Sequence, residues 1–188
     1  MPTAFRLAGA ALLLGGALFV SGGCAAVRPA TGSSSPGAVL PGTRVIEGVP
    51  FLPQEEETCG PSSLAMLLRF HGKGATTREL VEETRTTGLR GTLITDLAAA
   101  ARRRGIEAEV VDLDLSGLRR RILAGEPVIL LVDLGTWVWS RPHYLIAYGV
   151  TAEGVVAHSG RTGGVVLPYD TLEAQWEKMG HLAIVAGR

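Results

Sequence analysis

"VPFLPQEEETCGPSSLAMLLRFHG", residues 49–72, places a glutamine five residues ahead of a cysteine, where a loop gives way to an apolar helical pattern. Pro61 suits the first turn of a helix, where a missing N–H costs nothing, and Gly72 suits the position just past its end. The spacing predicts a helix over residues 61–71 with Cys59 at its start. Backbone N–H groups and the positive end of the helix dipole favour a thiolate at such a place. Two readings of Cys59 follow. It is either a packed thiol that happens to begin a helix, since cysteine is commonly buried, or a nucleophile. In the second case Gly60 lets the backbone approach a substrate closely, and the Cys59 amide can donate to an oxyanion. The side-chain amide of Gln54 can reach the same oxygen.

Outward from this stretch, residues 45–51 read as extended. Thr76 and Glu79 have capping-box spacing and open a second helix running to about Arg85. A third helix starts at Thr92 or Thr95 and stops at Gly105. Residues 106–113 read as a strand, and Ser116 opens a short helix closed by Gly125. Strands then dominate. Residues 128–133 form a continuous apolar run that suits a buried strand. Residues 143–150, 155–159 and 165–169 follow, with a turn at residues 152–154. Asp170 is placed to cap a helix to Met179, and residues 182–186 form a last strand. Helices first and a mainly antiparallel sheet second indicate an α+β fold.

The chain has 188 residues, no net formal charge and 46% hydrophobic residues, which suits one compact domain with an ordinary core. Neutral charge gives no electrostatic case for nucleic acid. The arginine runs at residues 102–104 and 119–121 fall in helical patterns and read as solvated faces. There is no Gly-rich phosphate loop and no metal-spaced Cys/His cluster, so no cofactor, metal or ATP site is expected.

Residues 1–24 differ from the rest. Arg6 precedes an uncharged run over residues 7–20, and Ser21-Gly22-Gly23-Cys24 supplies small residues before a cysteine. This is the three-part layout of a secretory signal, with an apolar core short of the roughly 20 residues of a membrane span. Its end resembles a bacterial lipobox, with Ser21 where Leu is usual. Lipidation of Cys24 is the expectation, with ordinary cleavage near Ala25 or Ala26 as the alternative. The protein is then exported and held to a membrane through its N-terminal lipid, on the periplasmic face of the outer membrane. Residues 25–44, rich in Pro, Gly, Ser and Ala, read as a flexible tether, and residues 45–188 as the domain. With Cys24 lipidated or removed, the two cysteines do not pair with each other. A thiol retained in an exported protein is then a candidate nucleophile.

Residues 53–72 resemble the papain-like bacteriocin-processing (double-glycine) cysteine peptidases and their stand-alone relatives, which carry a Gln shortly before Cys-Gly-Pro and an apolar helix. A second hallmark of that family, a strand-borne His followed by an aromatic and apolar residues up to Gly, is matched by "PHYLIAYGV", residues 142–150. The closing "LPYDTLEAQWEKMGHLAIVAGR" is similar to the family's final helix and strand. The resemblance implies a papain-like fold with N-terminal helices packed on the sheet. It implies a cysteine peptidase acting on a peptide or protein substrate through a thioester, with Cys59 as nucleophile, His143 as base and later acid, and Gln54 at the oxyanion. The family's third residue, an Asp or Asn on the next strand, aligns with Ser159. That hydroxyl can accept from an imidazole N–H but brings no charge, so a dyad with lower turnover is expected. The family's exporters add membrane spans and an ATPase, and transport is not carried over to this chain. Rival readings are a non-catalytic peptide-binding or assembly module on the same fold, and a peptidyl transferase.

Other residues carry weaker signals. Glu55-Glu56-Glu57 would oppose a thiolate if they faced it; otherwise they lie in a solvated loop, with a rim that prefers basic substrates as a further reading. His158 should face away from Ser159 on a regular strand. Trp137 and Trp139 either line a substrate cleft beside His143 or pack in the core or at a rim. Asp133 caps a turn or orients a group in the site. His71 and His181 read as a helix-end and a strand-start residue.

Overall fold

The computed structural model describes residues 42–86, 88, 91–136 and 138–187. The leader with Cys24, nearly all of the tether, and Trp137 lie outside the described residues. Along the chain run β1 (Arg44–Val45), a one-turn 3₁₀ helix (Glu56–Thr58), α1 (Cys59–Phe70), α2 (Thr77–Thr84), α3 (Ile94–Arg103) and β2 (Ala108–Asp112). They are followed by α4 (Leu115–Ala124), β3 (Val128–Asp133), β4 (Pro142–Val150), β5 (Val155–Ser159), β6 (Thr162–Leu167), α5 (Tyr169–Glu177) and β7 (Leu182–Ala186). The strands form one sheet in the order β2-β7-β3-β4-β5-β6, and β1 pairs with the far end of β4. Every pairing is antiparallel, as the α+β reading expects.

β3 is buried at all six residues because both faces of the sheet are covered. Ile129, Leu131, Tyr144, Ile146 and Ile184 point to one side, where they pack on α1, Leu80 of α2 and Leu97 of α3. Their alternating neighbours Val128, Leu130, Val132, Leu145 and Ala183 point to the other, against Leu118 and Ile122 of α4 and Leu172 and Trp176 of α5. The expected layer of N-terminal helices on the sheet is present, and α4 and α5 add a second layer behind it. Residues 59–68 of α1 are all buried, which explains why its sequence is apolar on every side. It is the central helix, wedged between β4 and the α2–α3 pair.

Several boundaries move, each for a local reason. α1 begins at Cys59 with Thr58 as its N-cap, two residues earlier than Pro61 suggested, because the preceding 3₁₀ turn leads directly into it. The capping box of α2 forms as expected, Thr76 Oγ1 accepting from the Glu79 N–H and the Thr76 N–H donating to the Glu79 carboxylate. α3 begins at Ile94; Thr92 instead meets the Thr84 hydroxyl at 3.3 Å. Asp114, not Ser116, caps α4, accepting from Gly117 N–H at 2.6 Å. α5 starts after Pro168, so Asp170 falls inside its first turn and accepts from Thr171 N–H. β6 starts at Thr162, because Ser159 and Thr162 pair across a two-residue Gly160-Arg161 turn with Gly160 at φ 59°.

Candidate active site

Cys59 is the first residue of α1, so its N–H lies in the first turn of the helix, at the positive end of the dipole. The side chain is 6% exposed. Gly60 beside it lies against β4: a Cβ added there would sit 3.0 Å from Tyr144 Cδ2 and 3.1 Å from Leu97 Cδ1. The residues that follow Cys59 and His143 therefore meet, which brings the start of α1 to the start of β4. Tyr144 is fixed there by its hydroxyl, which donates to the Thr92 carbonyl at 3.0 Å. Burial, with the Cys59 and Asp96 charges behind it, keeps that phenol neutral well into the alkaline range.

Gln54 joins this helix start to the β5–β6 turn. Its main-chain N–H donates to Gly160 O at 2.8 Å, and its Oε1 accepts from Gly160 N–H at 2.7 Å. Nε2 donates to Ser63 Oγ at 2.7 Å and, more weakly, to Cys59 O at 3.4 Å. Gln54 and Ser63 are both buried. The amide expected at an oxyanion is thus occupied by protein groups, and the bond to Cys59 O is its weakest. Ser63 escaped the sequence reading, although its position four residues after Cys59 puts it on the same helix face.

His143 and Ser159 come together, with His143 Nε2 at 3.0 Å from Ser159 Oγ. That leaves Nδ1 as the ring nitrogen available to a thiol. Burial, and after it the Arg141 charge, push the His143 imidazole down to about 4, so the ring is neutral at ordinary pH. His158, the residue before Ser159, has other partners: Nε2 meets Val49 O at 3.2 Å and Nδ1 accepts from Gly164 N–H at 3.1 Å. Its ring stacks near Tyr148 and Phe51, and burial lowers its pKa.

Asp133 closes the loop that leads to His143. One carboxylate oxygen accepts from the N–H groups of Gly135 and Arg141, each at 2.7 Å. Burial works to raise its pKa, but these bonds, the Ser140 hydroxyl and Lys178 outweigh it and hold the carboxyl below the usual range. A Cβ at Gly135 would overlap the Trp139 carbonyl, so the turn requires glycine. Asp133 caps this turn, and Val138 and Trp139 stand exposed on it, which puts Trp139 on the surface and not in the core. Glu55 faces solvent and meets Arg161 at 3.5 Å, an exposed pair of little energetic weight. His71 ends α1; His181 sits at positive φ before β7 and contacts Glu173.

Two cavities flank Pro142. One, of about 430 Å³, is polar and bordered by Gln54, Arg141, His143 and Arg161. The other, of about 380 Å³, is bordered by Cys59, Gly60, Glu57, Thr92 and otherwise mainly apolar side chains. Among the described residues no group of three or more His, Cys, Asp or Glu side chains is placed to hold a metal ion. No helix of the described residues is long and apolar enough to cross a membrane.

Residues 50–186, from the segment before Gln54 to the last strand, match the Peptidase C39 family. The chain belongs to that family. Solved structures share the C39 fold. A candidate C39-like peptidase from Bacillus anthracis aligns at 19% identity and TM-score 0.65, over 78% of this chain and 98% of that one. A double glycine motif protease from an AMS/PCAT transporter, solved in complex with the leader peptide, aligns at 20% and 0.61 over 77% and 96%. The peptidase domain of Streptococcus ComA, a bi-functional ABC transporter involved in quorum sensing, aligns at 21% and 0.60 over 75% and 100%. No curated protein matches this chain.

Proposed function

We propose that the protein is an exported, lipid-anchored cysteine peptidase that hydrolyses peptide bonds through Cys59 and His143. The observation that carries this reading is the linked set of hydrogen bonds from α1 through Gln54 to Gly160, beside the His143–Ser159 pair. Membership of the C39 family supports the chemistry, and the leader-peptide complex of a structural neighbour supports a peptide as ligand.

The buried imidazole sets how the thiol is activated. A neutral ring with a depressed pKa disfavours a standing thiolate–imidazolium pair. His143 instead takes the Cys59 proton on Nδ1 as Sγ attacks the carbonyl carbon, with Nε2–H donating to Ser159 Oγ. The oxygen that gains charge is served by the Cys59 N–H and by the Gln54 N–H that leaves Cys59 O, its longest bond. His143 then returns the proton to the departing amine. The thioester is cleaved by water, which His143 deprotonates in turn. Ser159 orients the ring without the charge of a carboxylate, which fits modest turnover.

The occupied Gln54 amide and uncharged Ser159 favour a second reading, a peptide-holding module without turnover. A thiol-directed active-site probe separates the two. We expect labelling of Cys59 to fall at least about tenfold in His143→Ala; equal, slow labelling in both proteins sinks the enzyme. For the anchor, Cys24→Ala should move the protein from the detergent phase to the aqueous phase, and unchanged partitioning would count against lipidation.

A further inference from the structure

Two arginines from separate parts of the chain meet at the polar cavity of about 430 Å³. Arg141 ends the loop that leads into β4, and Arg161 sits in the two-residue turn between β5 and β6. Both border the cavity together with Gln54, Glu55 and His143, and both are exposed. Among the described residues Glu55 is the single carboxylate on that border, so the guanidinium groups outnumber it. We propose that this cavity receives a carboxylate carried by the substrate segment that departs when the peptide bond is cleaved, with Arg141 and Arg161 setting that preference. The inference rests on Cys59 acting as nucleophile and His143 as the acid.

The side of the cleft follows from the chemistry. The acyl part of the substrate stays on Cys59, which borders the other cavity, whereas the departing amine takes its proton from His143, which borders this one. Residues that follow the scissile bond are therefore laid along Arg141 and Arg161. The Arg161–Glu55 contact at 3.5 Å joins side chains that are 80% and 75% exposed. Such a pair has little energetic weight, so an incoming carboxylate can displace Glu55. A guanidinium offers two parallel N–H donors to a carboxylate, which adds direction to charge. The anion also arrives where the site lacks one. Arg141 disfavours the His143 imidazolium and Ser159 brings no charge to the ring, so a carboxylate paired with Arg141 offsets both. A Lys or Arg side chain in the same place would face two like charges, and the acids at residues 55–57 do not decide selectivity on this side. No demand falls on the acyl side, so the preference holds with glycine ahead of the scissile bond.

Protection of Cys59 from iodoacetamide, read at that residue by peptide mapping of the full chain, tests this without requiring turnover. The probes are acetylated peptide amides of one length built around Gly-Gly, which sets no side chain against Cys59. They carry Glu directly after the glycines, Gln in its place, or Glu directly before the glycines. A fourth has Gln after the glycines and a free C-terminal carboxylate. At low ionic strength we expect Glu after the glycines to halve the labelling rate at a concentration about fivefold lower than Gln, the upper end for an exposed ion pair. Glu before the glycines should gain less than about twofold, and the Glu-to-Gln ratio should fall below about twofold when Arg141→Gln and Arg161→Gln are combined. The ratio is taken within each protein, so a changed basal labelling rate does not enter it. A gain from the free C-terminus instead of the Glu side chain assigns the same cavity to a chain end. Equal protection by all four peptides, protection by none, an equal gain from Glu on either side, or a ratio untouched in the double variant overturns the inference. Equal protection combined with His143-dependent labelling removes the carboxylate site and leaves the peptidase standing. An arginine-dependent ratio with labelling independent of His143 leaves a carboxylate site on a module without turnover and overturns its part in cleavage.

Discussion

His143, the base of the proposed mechanism, lies in an environment without compensating charge. Its ring is buried, Arg141 stands nearby, and the group on Nε2 is a hydroxyl. Each of these disfavours the imidazolium that the proposed attack by the thiol requires. A carboxylate at position 159 would reverse the balance. Ser159→Asp is expected to raise the His143 pKa from about 4, to move the acid limb of the pH profile of kcat/KM upward, and to raise its plateau by about tenfold, equivalent to about 1.4 kcal/mol in the barrier. Peptide hydrolysis measured from pH 4 to 8 checks it. A downward shift of the acid limb would mean that the ring does not titrate as the base. Arg141→Gln should move the same limb upward with no new hydrogen bond, which separates the charge effect from the orienting one.

α1 and β4 hold the site together through one close contact. A methyl group at Gly60 would crowd Tyr144 at 3.0 Å, and the Tyr144 ring is tethered at its hydroxyl. Gly60→Ala is therefore expected to push the start of α1 off β4 and to destabilise the fold by about 1–3 kcal/mol. Probe labelling of Cys59 should slow even below the melting transition, because the thiol moves relative to His143. Urea unfolding and labelling at low denaturant measure the two effects separately. Elements of this kind were legible in the sequence where the signal is local. Pro61 and Gly72 bracketed α1, the Thr76–Glu79 box opened α2, and the apolar run of β3 declared itself. Gln54 and Cys59 stood out through residue type and spacing, and His143 through the family resemblance of residues 142–150. What stayed hidden depends on partners far along the chain. The grip of Gln54 on Gly160 and the capture of the Gln54 amide by Ser63 need the tertiary fold to exist. The closure of the loop before His143 by Asp133 needs the turn to be formed. The cap of α4 was misplaced at Ser116 because Asp114, two residues earlier, has equal capping chemistry and the better reach to Gly117.

Across the whole molecule, His71, His143 and His158 each have a pKa held below the usual histidine value, burial being the leading cause every time. A folded state that resists protonation loses ground to an unfolded chain that accepts it. For these groups stability is complete above about pH 6.5, the ordinary histidine value, and falls as the pH drops; for His143 the loss continues to about pH 4. Asp133, held low by its loop bonds, has the same sign in a lower window. Its contribution is present above the ordinary carboxyl range and is lost below it. Calorimetry between pH 7 and 4 should show a falling Tm, with a shallower slope in His143→Gln; a flat Tm would contradict the buried neutral rings. The span of the Gln54–Gly160 bonds has a temporal meaning as well. The two residues lie 106 apart in sequence, and a chain is synthesised from its N-terminus. The cysteine therefore exists long before the turn that fastens its surroundings, and contacts so distant along the chain close late in folding. During synthesis the thiol is an ordinary one, and the hydrogen bonds around it arrive only with the last strands, so the order of manufacture itself postpones the assembly of the site.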